Sequence, residues 1–444
     1  MPFVGGGLLL LILTMTTSSF SPPPSTGILI IDGFSPFHSG LISDRLSSQN
    51  VGVVNALSLY MARGLERPDE VPPLDSSALK LFLQTINFPI AGVICESDAG
   101  LEFAEQLSCA IAELQPTLKH NNFNPARRDK FLLNQLLAKH NIPTVRQLLI
   151  RDENELIEAL SVMKLPFILK PTHGVGSNNV HLCKTKHSVL STFPKIKAAN
   201  KWGTFNSPND AVLVQEMAVG TEYAVDCVSK NGEHKLIAVW EYEKTDNGVG
   251  PFAYRRTGLL DDAAAAREIA DYTFACLDAL EVKWGMTHSE VIRDNQNPGG
   301  GMKIVEVNCR QHNAATGAIC QICLACNALD AVIWSYLDSE EWDELPVYNI
   351  NLKQHGCVVH FQCLVDGVVK SVNGIEEIEA MESVLEMEVY ESFGVGEVVK
   401  KTLTIMNDAG WAVLIGEKDV VERDYRRIVE LMSEMFETEE EMEM

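Results

Sequence analysis

Two short runs of alternating residues constrain the fold of this chain more than any other feature. HSE at 288–290 ends one run, and KIVEVNCR at 303–310 contains the other. Side chains two residues apart in a β-strand face the same side, so each run predicts a strand with one polar and one apolar face. The turn-forming NPGGG at 297–301 lies between them and predicts a hairpin that brings Glu290 beside Glu306.

The polar face of this hairpin predicts a metal site. Glu290, Glu306 and Asn308 offer two carboxylates and an amide, with no His or Cys among them. Oxygen ligands suit a hard cation, and so few protein ligands suit Mg²⁺ that is completed by water and substrate phosphates. The same residues are also compatible with a solvated strand face that carries ordinary charges.

A glycine-containing loop upstream predicts contacts with phosphate. FILKPTHGVGSNNV at 167–180 indicates an apolar strand that ends at Lys170, followed by a loop with Gly174, Gly176 and Ser177. Glycine amides can approach phosphate oxygens closely, and Lys170 adds a positive charge. The spacing matches neither the P-loop nor the dinucleotide-binding fingerprint. Plain hairpin turns also contain such glycines, so this loop alone does not decide between the two interpretations.

The segments on either side of this loop add candidate nucleotide contacts. The stretch 211–228 indicates two strands broken by a glycine, with Glu216 to Val219 as a linker whose backbone could pair with an adenine edge. Glu222 would then accept hydrogen bonds from ribose hydroxyls. An edge strand and a turn explain the same composition. Lys130 begins an amphipathic helix within 124–145, where a lysine is often only an exposed charge.

Taken together, five segments resemble the ATP-grasp superfamily in identity and order: RRDK, ILKP with its glycine loop, QEMAVGTEYAVD, THSE and VEVNCR. The resemblance runs from about residue 27 to the end of the chain. It is strongest to the ATP-dependent carboxylate-amine ligases that include L-amino-acid ligases and carnosine synthase, and D-alanine:D-alanine ligase is more distant. The resemblance implies an α/β fold with α+β lobes: an ATP-grasp domain preceded by a Rossmann-like domain and followed by a small β-rich domain.

The resemblance also implies a role for each matching residue. The nucleotide contacts it assigns are Lys130, Lys170, Gly174, Gly176, Ser177, Glu216, Met217, Val219 and Glu222. The ligands it assigns to Mg²⁺ or Mn²⁺ are Glu290, Glu306 and Asn308. ATP is the nucleotide that this family uses.

Two departures from the family pattern limit this transfer. Many relatives have a small residue soon after the serine of the phosphate loop, whereas this chain has Asn178 and Asn179. Many also follow the later arginine with glycines, whereas Gln311, His312 and Asn313 stand here. The amine substrate is therefore the part of the family pattern that transfers least.

The implied reaction is an ATP-dependent ligation that forms a C–N bond through an acyl phosphate. Arg310 matches the arginine that such ligases place near the carboxylate substrate, and Arg255 or Arg256 is a further candidate to stabilise the oxyanion. The segment 242–260 is rich in turns and is predicted to form a lid. His288 is a candidate base or a carboxylate-orienting group. Solvated arginines and a structural histidine are the competing interpretations.

Two other functions remain open. One is a ligase that joins its carboxylate to a polyamine, a thiol or another non-amino-acid acceptor. The other is a nucleotide-binding pseudoenzyme that senses ATP without turnover, which loss of a metal ligand would favour. The expected substrates are a small carboxylate and a small amine.

Composition restricts the class of partner. The chain has 444 residues, 46% of them hydrophobic, which suffices for several packed units. Its net charge of -24 argues against nucleic acid or an anionic membrane as a partner. A homodimer is one expected assembly.

The eleven cysteines follow no disulfide framework and indicate reduced thiols. Cys320, Cys323 and Cys326 suggest either a metal site or buried packing in an apolar helix.

The N-terminal residues have a different character. Met1 to Pro24 contains the apolar stretch LLLLILTM and a proline cluster. Because a membrane span needs about 18 or more apolar residues, no stable span is expected. The segment resembles a signal peptide, and SSFSPPP resembles the cleavage sites of some plastid presequences. A disordered extension is the alternative. A reaction that needs ATP fits the cytoplasm or a plastid or other organelle better than secretion.

The remaining pattern predicts the domain boundaries. Buried runs at 27–34 and 88–97 indicate an N-terminal unit with a parallel sheet. The predicted segments are a targeting or disordered extension at 1–26, the N-terminal α/β domain at 27–120, the ATP-grasp domain at 121–345 with a nucleotide lobe at about 160–240 and a metal lobe at about 241–345, a C-terminal α+β domain at 346–436 and an acidic tail at 437–444.

Overall fold

The computed structural model describes residues 24–33, 46, 50–294 and 301–439. Most of the predicted extension at 1–26 lies outside the described residues, as do most of the turn at 297–301 and residues 440–444 of the predicted tail. The chain divides into two compact units, Met1–His120 and Asn121–Met444.

The first unit contains a three-stranded parallel sheet. β1 (Gly27–Ile31) lies between β2 (Gly52–Ala56) and β3 (Ile90–Cys95), and both neighbours run parallel to it. Every residue of β1 is buried, as expected for a central parallel strand. This confirms the parallel sheet predicted from the two apolar runs. Among the described residues of this unit, the helices with both ends described are α1 (Leu59–Gly64), α2 (Ser76–Gln84) and α3 (Leu101–Leu114).

The second unit holds the other helices and strands. Its strands are β4 (Gln147–Ile150), β5 (Phe167–Pro171), β6 (His181–Cys183), β7 (Val212–Glu216), β8 (Thr221–Lys230), β9 (Glu233–Asp246), β10 (Pro251–Leu259), β11 (Trp284–Arg293), β12 (Met302–Asn308), β13 (His355–Phe361), β14 (Gly367–Val372), β15 (Val384–Val389), β16 (Val398–Val399), β17 (Gly410–Gly416) and β18 (Phe436–Glu439). Its helices are α4 (Lys130–Lys139), α5 (Glu153–Val162), α6 (Lys186–Ala198), α7 (Ala263–Ala279), α8 (Ala314–Cys323), α9 (Ala328–Leu337), α10 (Glu340–Glu344), α11 (Ile375–Glu379) and α12 (Lys418–Met432).

A four-stranded antiparallel sheet has the order β4-β7-β5-β6, and its strands β5, β6 and β7 lie within the predicted nucleotide lobe at about 160–240. Phe167 and Leu169 of β5 pack into a core with Leu156 of α5 and Val189 of α6. Because side chains alternate along a strand, Lys170 points to the opposite face of this sheet. The sheet therefore separates an apolar helical layer from the face that carries Lys170.

An eight-stranded sheet in the order β12-β11-β8-β9-β10-β13-β17-β15 dominates the unit. The segment 242–260, predicted as a lid, lies in this sheet because it forms the paired ends of β9 and β10. Its residues alternate as strands require, and its turn signal is confined to the connection, where Gly248 and Gly250 have positive φ. Strands from beyond residue 346 continue the same sheet across the predicted domain boundary.

The apolar stretch at 318–337, predicted as one nearly continuous helix, forms parts of two. Ala325 has a φ of 59°, which a right-handed helix does not allow, and Asn327 caps α9 by accepting from Asp330 N. No single described helix is long and apolar enough to cross a membrane. The pair Ala315–Cys323 and Ala328–Leu337, bent by 82°, meets the requirements for a membrane span in length and composition alone. Cys320, Cys323 and Cys326 are buried thiols.

The C-terminal region adds a three-stranded sheet in the order β16-β14-β18. Residues 437–439, predicted as the start of a tail, belong to β18 and pair with β14. Phe436 is buried in the core that α12 completes, and this burial anchors the strand. The acidic segment that was predicted as a tail is therefore an edge strand over its described residues.

Candidate active site

The predicted hairpin is present as β11 and β12. Glu290 lies directly opposite Glu306, and His288 lies opposite Asn308. Opposed side chains in antiparallel strands have Cβ atoms about 5 Å apart. Asn308 Nδ2 donates to Glu306 Oε1 over 2.8 Å. The structure thus brings the two carboxylates and the amide together on one face of the sheet.

Lys130 reaches this face from the first turn of α4. Asp129 caps the helix by accepting from the backbone N–H groups of Phe131 and Leu132, which fixes where the helix begins. Lys130 Nζ lies 2.7 Å from Glu306 Oε2 and donates to Gly174 O over 3.1 Å. Lys130 is therefore a buried and paired charge, and not an exposed one.

Lys170 is a second buried cation, 5% exposed. Burial lowers the pKa of Lys170 to about 8, and the neighbouring charge of Lys130 adds to this effect. Burial alone would raise the pKa of Glu306, but Lys130 and Asn308 hold it well below its usual range. An anion entering beside Lys170 would favour its charged form.

The glycine loop has left-handed backbone at several positions. The φ angles are +53° at Gly176, 60° at Ser177 and 57° at Asn179. Residues with a Cβ adopt this conformation at a cost of about 1–2 kcal/mol, and such strain is typical of functional loops. A Cβ added to Gly176 would lie 2.7 Å from Met406 Sδ. The loop therefore packs against the short 3₁₀ turn Ile405–Asn407 of the C-terminal region.

The predicted adenine linker follows β7. Met217 and Val219 line a cleft between the end of β7 and the start of β8. Glu222 in β8 faces the same cleft, and Lys244 Nζ lies 2.7 Å from its Oε1. Burial raises the pKa of Glu222, and the attraction of Lys244 opposes that rise.

Lys244 is a site residue that the sequence prediction missed. Its side chain is 11% exposed, and its Nζ lies 4.2 Å from the ring centroid of Tyr254 and 5.0 Å from that of Tyr242. The signal was the alternating run WEYEK, which predicts a strand and places Tyr242 and Lys244 on one face. The turn residues that follow obscured it.

One cleft of about 590 Å³ contains these groups. Its volume suits a ligand of nucleotide size. The predicted site residues in its wall are Lys130, Lys170, Gly174, Gly176, Ser177, Glu216, Met217, Val219, Glu222, Glu290 and Glu306. Asn308 joins this set through its hydrogen bond to Glu306.

The predicted arginines contact other parts of the protein. Arg310 Nη1 donates to the carbonyl oxygens of Gln311 and His312, over 2.7 and 3.1 Å. Arg255 Nη1 lies 3.2 Å from Glu243 Oε1. Arg256 Nη1 lies 2.7 Å from Glu422 Oε1 of α12. The structure therefore does not bring Arg255 and Arg256 together with the hairpin of β11 and β12, and it gives both an anchoring contact instead.

His288 belongs to a buried network below Glu290. Its Nδ1 lies 3.2 Å from Asp226 Oδ1, and its Nε2 lies 3.8 Å from Glu290 Oε1. Burial would lower the pKa of His288, but its hydrogen bond to Asp226 and the nearby carboxylate of Glu290 raise it to about 9. His312 stacks on His288 with ring centroids 3.9 Å apart, and burial together with the charge of His288 lowers the pKa of His312 to about 4. Asp226 was not predicted from the sequence, because nothing in its strand marks it.

The donor set of the hairpin fits a divalent cation. Glu290, Glu306 and Asn308 supply only carboxylate and amide oxygens, which hard cations prefer. The pairing of Glu306 with Lys130 shows that this carboxylate attracts positive charge at short range. The site can therefore hold a cation beside an anionic ligand.

Comparison with known proteins agrees with this geometry. Residues 163–318 match a protein family described as the ATP-grasp domain. Residues 163–318 therefore resemble an ATP-grasp domain, and the chain shares the fold of the solved structures described next.

Two solved structures show which proteins share this fold. The L-amino acid ligase of Bacillus licheniformis superposes with a TM-score of 0.69 at 16% identity, covering 95% of this chain and all of that one. A carboxyaminoimidazole ribonucleotide synthase of Aspergillus clavatus, complexed with ATP, superposes with a TM-score of 0.64 at 12% identity, covering 93% of this chain and 99% of that one. Identities this low show a shared fold.

A curated relative is similar in sequence. Dapdiamide A synthase of Enterobacter agglomerans is 26% identical over 252 residues, which is 56% of this chain. The chain spans 57% of the length of that relative. The similarity therefore supports relatedness and leaves the activity of the whole protein to the argument below.

Proposed function

We propose that this chain is an ATP-dependent carboxylate-amine ligase. It converts a carboxylate substrate, an amino acid in this proposal, into an acyl phosphate and joins it to an amine, with release of ADP and phosphate. One observation carries the proposal: Glu290, Glu306 and Asn308 meet Lys130 and Lys170 at one end of a nucleotide-sized cleft. The whole-length similarity in fold to an L-amino acid ligase supports it.

In this proposal each part of ATP contacts a different part of the cleft. The base lies against the backbone of Met217 and Val219, and Glu222 accepts from the ribose hydroxyls. The phosphates lie under the glycine loop, where Gly176 leaves the backbone amides uncovered. Lys244, which pairs with Glu222 in the structure, is close enough to the cleft to add a charge for the anionic chain.

Glu290, Glu306 and Asn308 hold Mg²⁺ in this proposal, and when bound the ion neutralises phosphate charge and orients the transferring group. Lys130 and Lys170 stabilise the negative charge that spreads over the phosphoryl oxygens while a carboxylate oxygen attacks the γ-phosphorus. Their burial excludes water and strengthens this attraction.

Arg310 holds the carboxylate substrate in the proposal. A guanidinium can donate two parallel hydrogen bonds to a carboxylate or to an acyl phosphate. To do so, Arg310 exchanges its bonds with the carbonyls of Gln311 and His312 for bonds with the substrate. The exchange would bring the guanidinium toward the metal hairpin only when a substrate is present.

Phosphate release from ATP, measured with amino acids singly and in pairs, tests the function. Release that requires two amino acids, with a dipeptide found by mass spectrometry, supports the proposal. Release that requires one amino acid and a polyamine or a thiol supports a ligase with another acceptor. ATP binding without release under any combination would identify a nucleotide sensor and refute the proposal.

A further inference from the structure

A chain of buried polar contacts runs behind the wall of the cleft. Tyr242, which lines the cleft, has its hydroxyl 3.0 Å from His312 Nε2. His312 Nδ1 lies 3.4 Å from Asp226 Oδ2. Asp226 also accepts from Trp240 Nε1 over 2.7 Å. The order hydroxyl, imidazole, carboxylate is one that can move a proton away from the cleft.

The same cluster has ligand atoms close enough for a metal ion. Within the described residues, the ligand atoms of Asp226, His288 and His312 all lie within 4.8 Å of one another. The two imidazole rings, however, stack at 3.9 Å with planes 23° apart. An ion lies near the plane of each imidazole that binds it, and two nearly parallel planes separated by a ring thickness do not meet at one ion. The arrangement therefore favours hydrogen bonding over metal binding.

The ionised state of Asp226 sets the direction in which protons are donated within the network. Asp226 is held ionised, because burial would raise its pKa but His312 and His288 hold it well below its usual range. An ionised carboxylate beside Nδ1 favours the tautomer of His312 with its proton on that nitrogen. Nε2 is then an acceptor, so the Tyr242 hydroxyl donates to it. The phenolic oxygen thereby keeps a lone pair for an N–H group in the cleft.

We propose that Tyr242 is a catalytic residue of the amide-forming step, with His312 as the acceptor of its proton and Asp226 as the positioning residue of His312. This inference rests on the ligase function proposed above. Glu306 and Glu222, two carboxylates in the wall of the cleft, are paired with Lys130 and Lys244. Tyr242 is instead backed by an imidazole whose Nε2 can accept a proton.

The step balances without a further reactant. The neutral amine adds to the acyl carbon, and the C–O bond to phosphate breaks with its electron pair leaving on phosphate. The N–H proton moves to the oxygen of Tyr242 as the phenolic proton moves to His312 Nε2. The imidazolium, paired with Asp226, returns that proton through Tyr242 to the phosphate, which leaves as HPO₄²⁻. A nitrogen that has added to an acyl carbon is far more acidic than a free ammonium, so a weakly basic imidazole suffices.

Two products measured on the full-length chain separate this step from the first one. Amide formation requires both steps, whereas trapping with hydroxylamine as a hydroxamate reports the acyl phosphate alone, because hydroxylamine is neutral and strongly nucleophilic near pH 7. The variants are Tyr242→Phe, His312→Gln and Asp226→Asn. Tyr348→Phe is the matched control, since it removes a hydroxyl that donates to the surface residue Asp271. Thermal unfolding checks that each variant folds.

We expect Tyr242→Phe and His312→Gln to lower kcat for amide formation by about 10²- to 10⁴-fold, the usual contribution of proton transfer. Hydroxamate formation and the KM for ATP should stay within about threefold of wild type, because ground-state binding is untouched. Asp226→Asn should lower kcat for the amide with no change in the KM for ATP, which a merely structural role would not produce.

Amide formation at the wild-type rate by Tyr242→Phe would overturn the inference. So would an equal loss of hydroxamate and amide, since that pattern places the hydroxyl in nucleotide binding or in the first step. If the wild-type chain forms neither product with any carboxylate and amine, the ligase proposal itself fails, and the result is distinct from either of these.

Discussion

Lys130 Nζ and Glu306 Oε2 lie 2.7 Å apart, with side chains only 8% and 15% exposed. The pair joins the first turn of α4 to the hairpin of β11 and β12. Substitution of Lys130 removes the cation nearest to the largely buried carboxylate of Glu306. Lys130→Ala should therefore lower the free energy of unfolding by about 3–5 kcal/mol, the usual result of breaking a buried pair.

Urea unfolding measures this loss. Lys139→Ala, on an exposed position of the same helix, should change stability by no more than about 0.5 kcal/mol. Equal losses for the two variants would show that the ion pair contributes nothing and that helix propensity decides.

Lys170→Met should stabilise the protein at pH 7 while it abolishes phosphate release. The lowered pKa of Lys170, about 8 against an ordinary 10.5, means that folding disfavours its charge, by about 3 kcal/mol below pH 8. Between these two values the unfolded chain binds more protons, so wild-type stability rises with pH. The advantage of Lys170→Met should therefore shrink from pH 8 towards pH 10.5, which unfolding in urea at several pH values measures. A difference that stays constant with pH, or that matches the exposed control Lys164→Met, would contradict this.

Glu290→Gln should uncouple ATP binding from divalent cations. Calorimetric titration of the wild type should show that EDTA weakens ATP binding, because a cation held by Glu290, Glu306 and Asn308 would neutralise phosphate charge. The variant should bind ATP equally weakly with and without Mg²⁺, and its phosphate release should fall by at least about 10²-fold. Glu344→Gln, at an exposed position outside the site, is the control. Wild-type binding that ignores EDTA would remove the metal from the proposed function.

Glu222→Gln should weaken the preference for ribose hydroxyls. In the proposal Glu222 accepts from the ribose, and a hydrogen bond to a charged group contributes about 1.5–3 kcal/mol, or roughly tenfold or more in affinity. The wild type should bind ATP more tightly than 2′,3′-dideoxy-ATP, and the variant should bind the two alike. Equal discrimination by both proteins would place the ribose elsewhere.

Gly176→Ala should raise the KM for ATP. At a φ of +53° an added Cβ costs about 1–2 kcal/mol, and it would also press on Met406. Gly232→Ala is the matched control, because its φ is +84° and a Cβ there meets no atom within 4 Å. Gly176→Ala should lose at least as much stability in urea as Gly232→Ala, but only Gly176→Ala should bind ATP more weakly. If both bind ATP as the wild type does, the loop does not cover the phosphates.

Many residues of the cleft could be predicted from the sequence because they lie on helices and strands, whose side chains follow regular periods. Glu290, Glu306 and Asn308 follow the two-residue period of strands, so their common face could be predicted. Lys130 was placed correctly at a helix start because Asp129 is a strong capping residue.

The parts that failed depend on contacts between distant residues. The hairpin of β9 and β10 contains enough turn residues to resemble a loop, and only pairing with β8 and β13 shows that it is a sheet. Tyr242, Lys244 and His312 have partners that are distant in sequence, which no local pattern reports. The anchoring of Arg256 by Glu422 spans still more of the chain.

The eight-stranded sheet contains strands from both sides of residue 346, so removal of either part would break it. β10 has β13 as its neighbour, and Arg256 on β10 holds Glu422 of α12. A protein truncated near residue 346 would expose an unpaired strand edge in the middle of its largest sheet, which invites aggregation. The strands after residue 346 therefore protect the edge of β10, and removal of this segment should lower the yield of unaggregated protein.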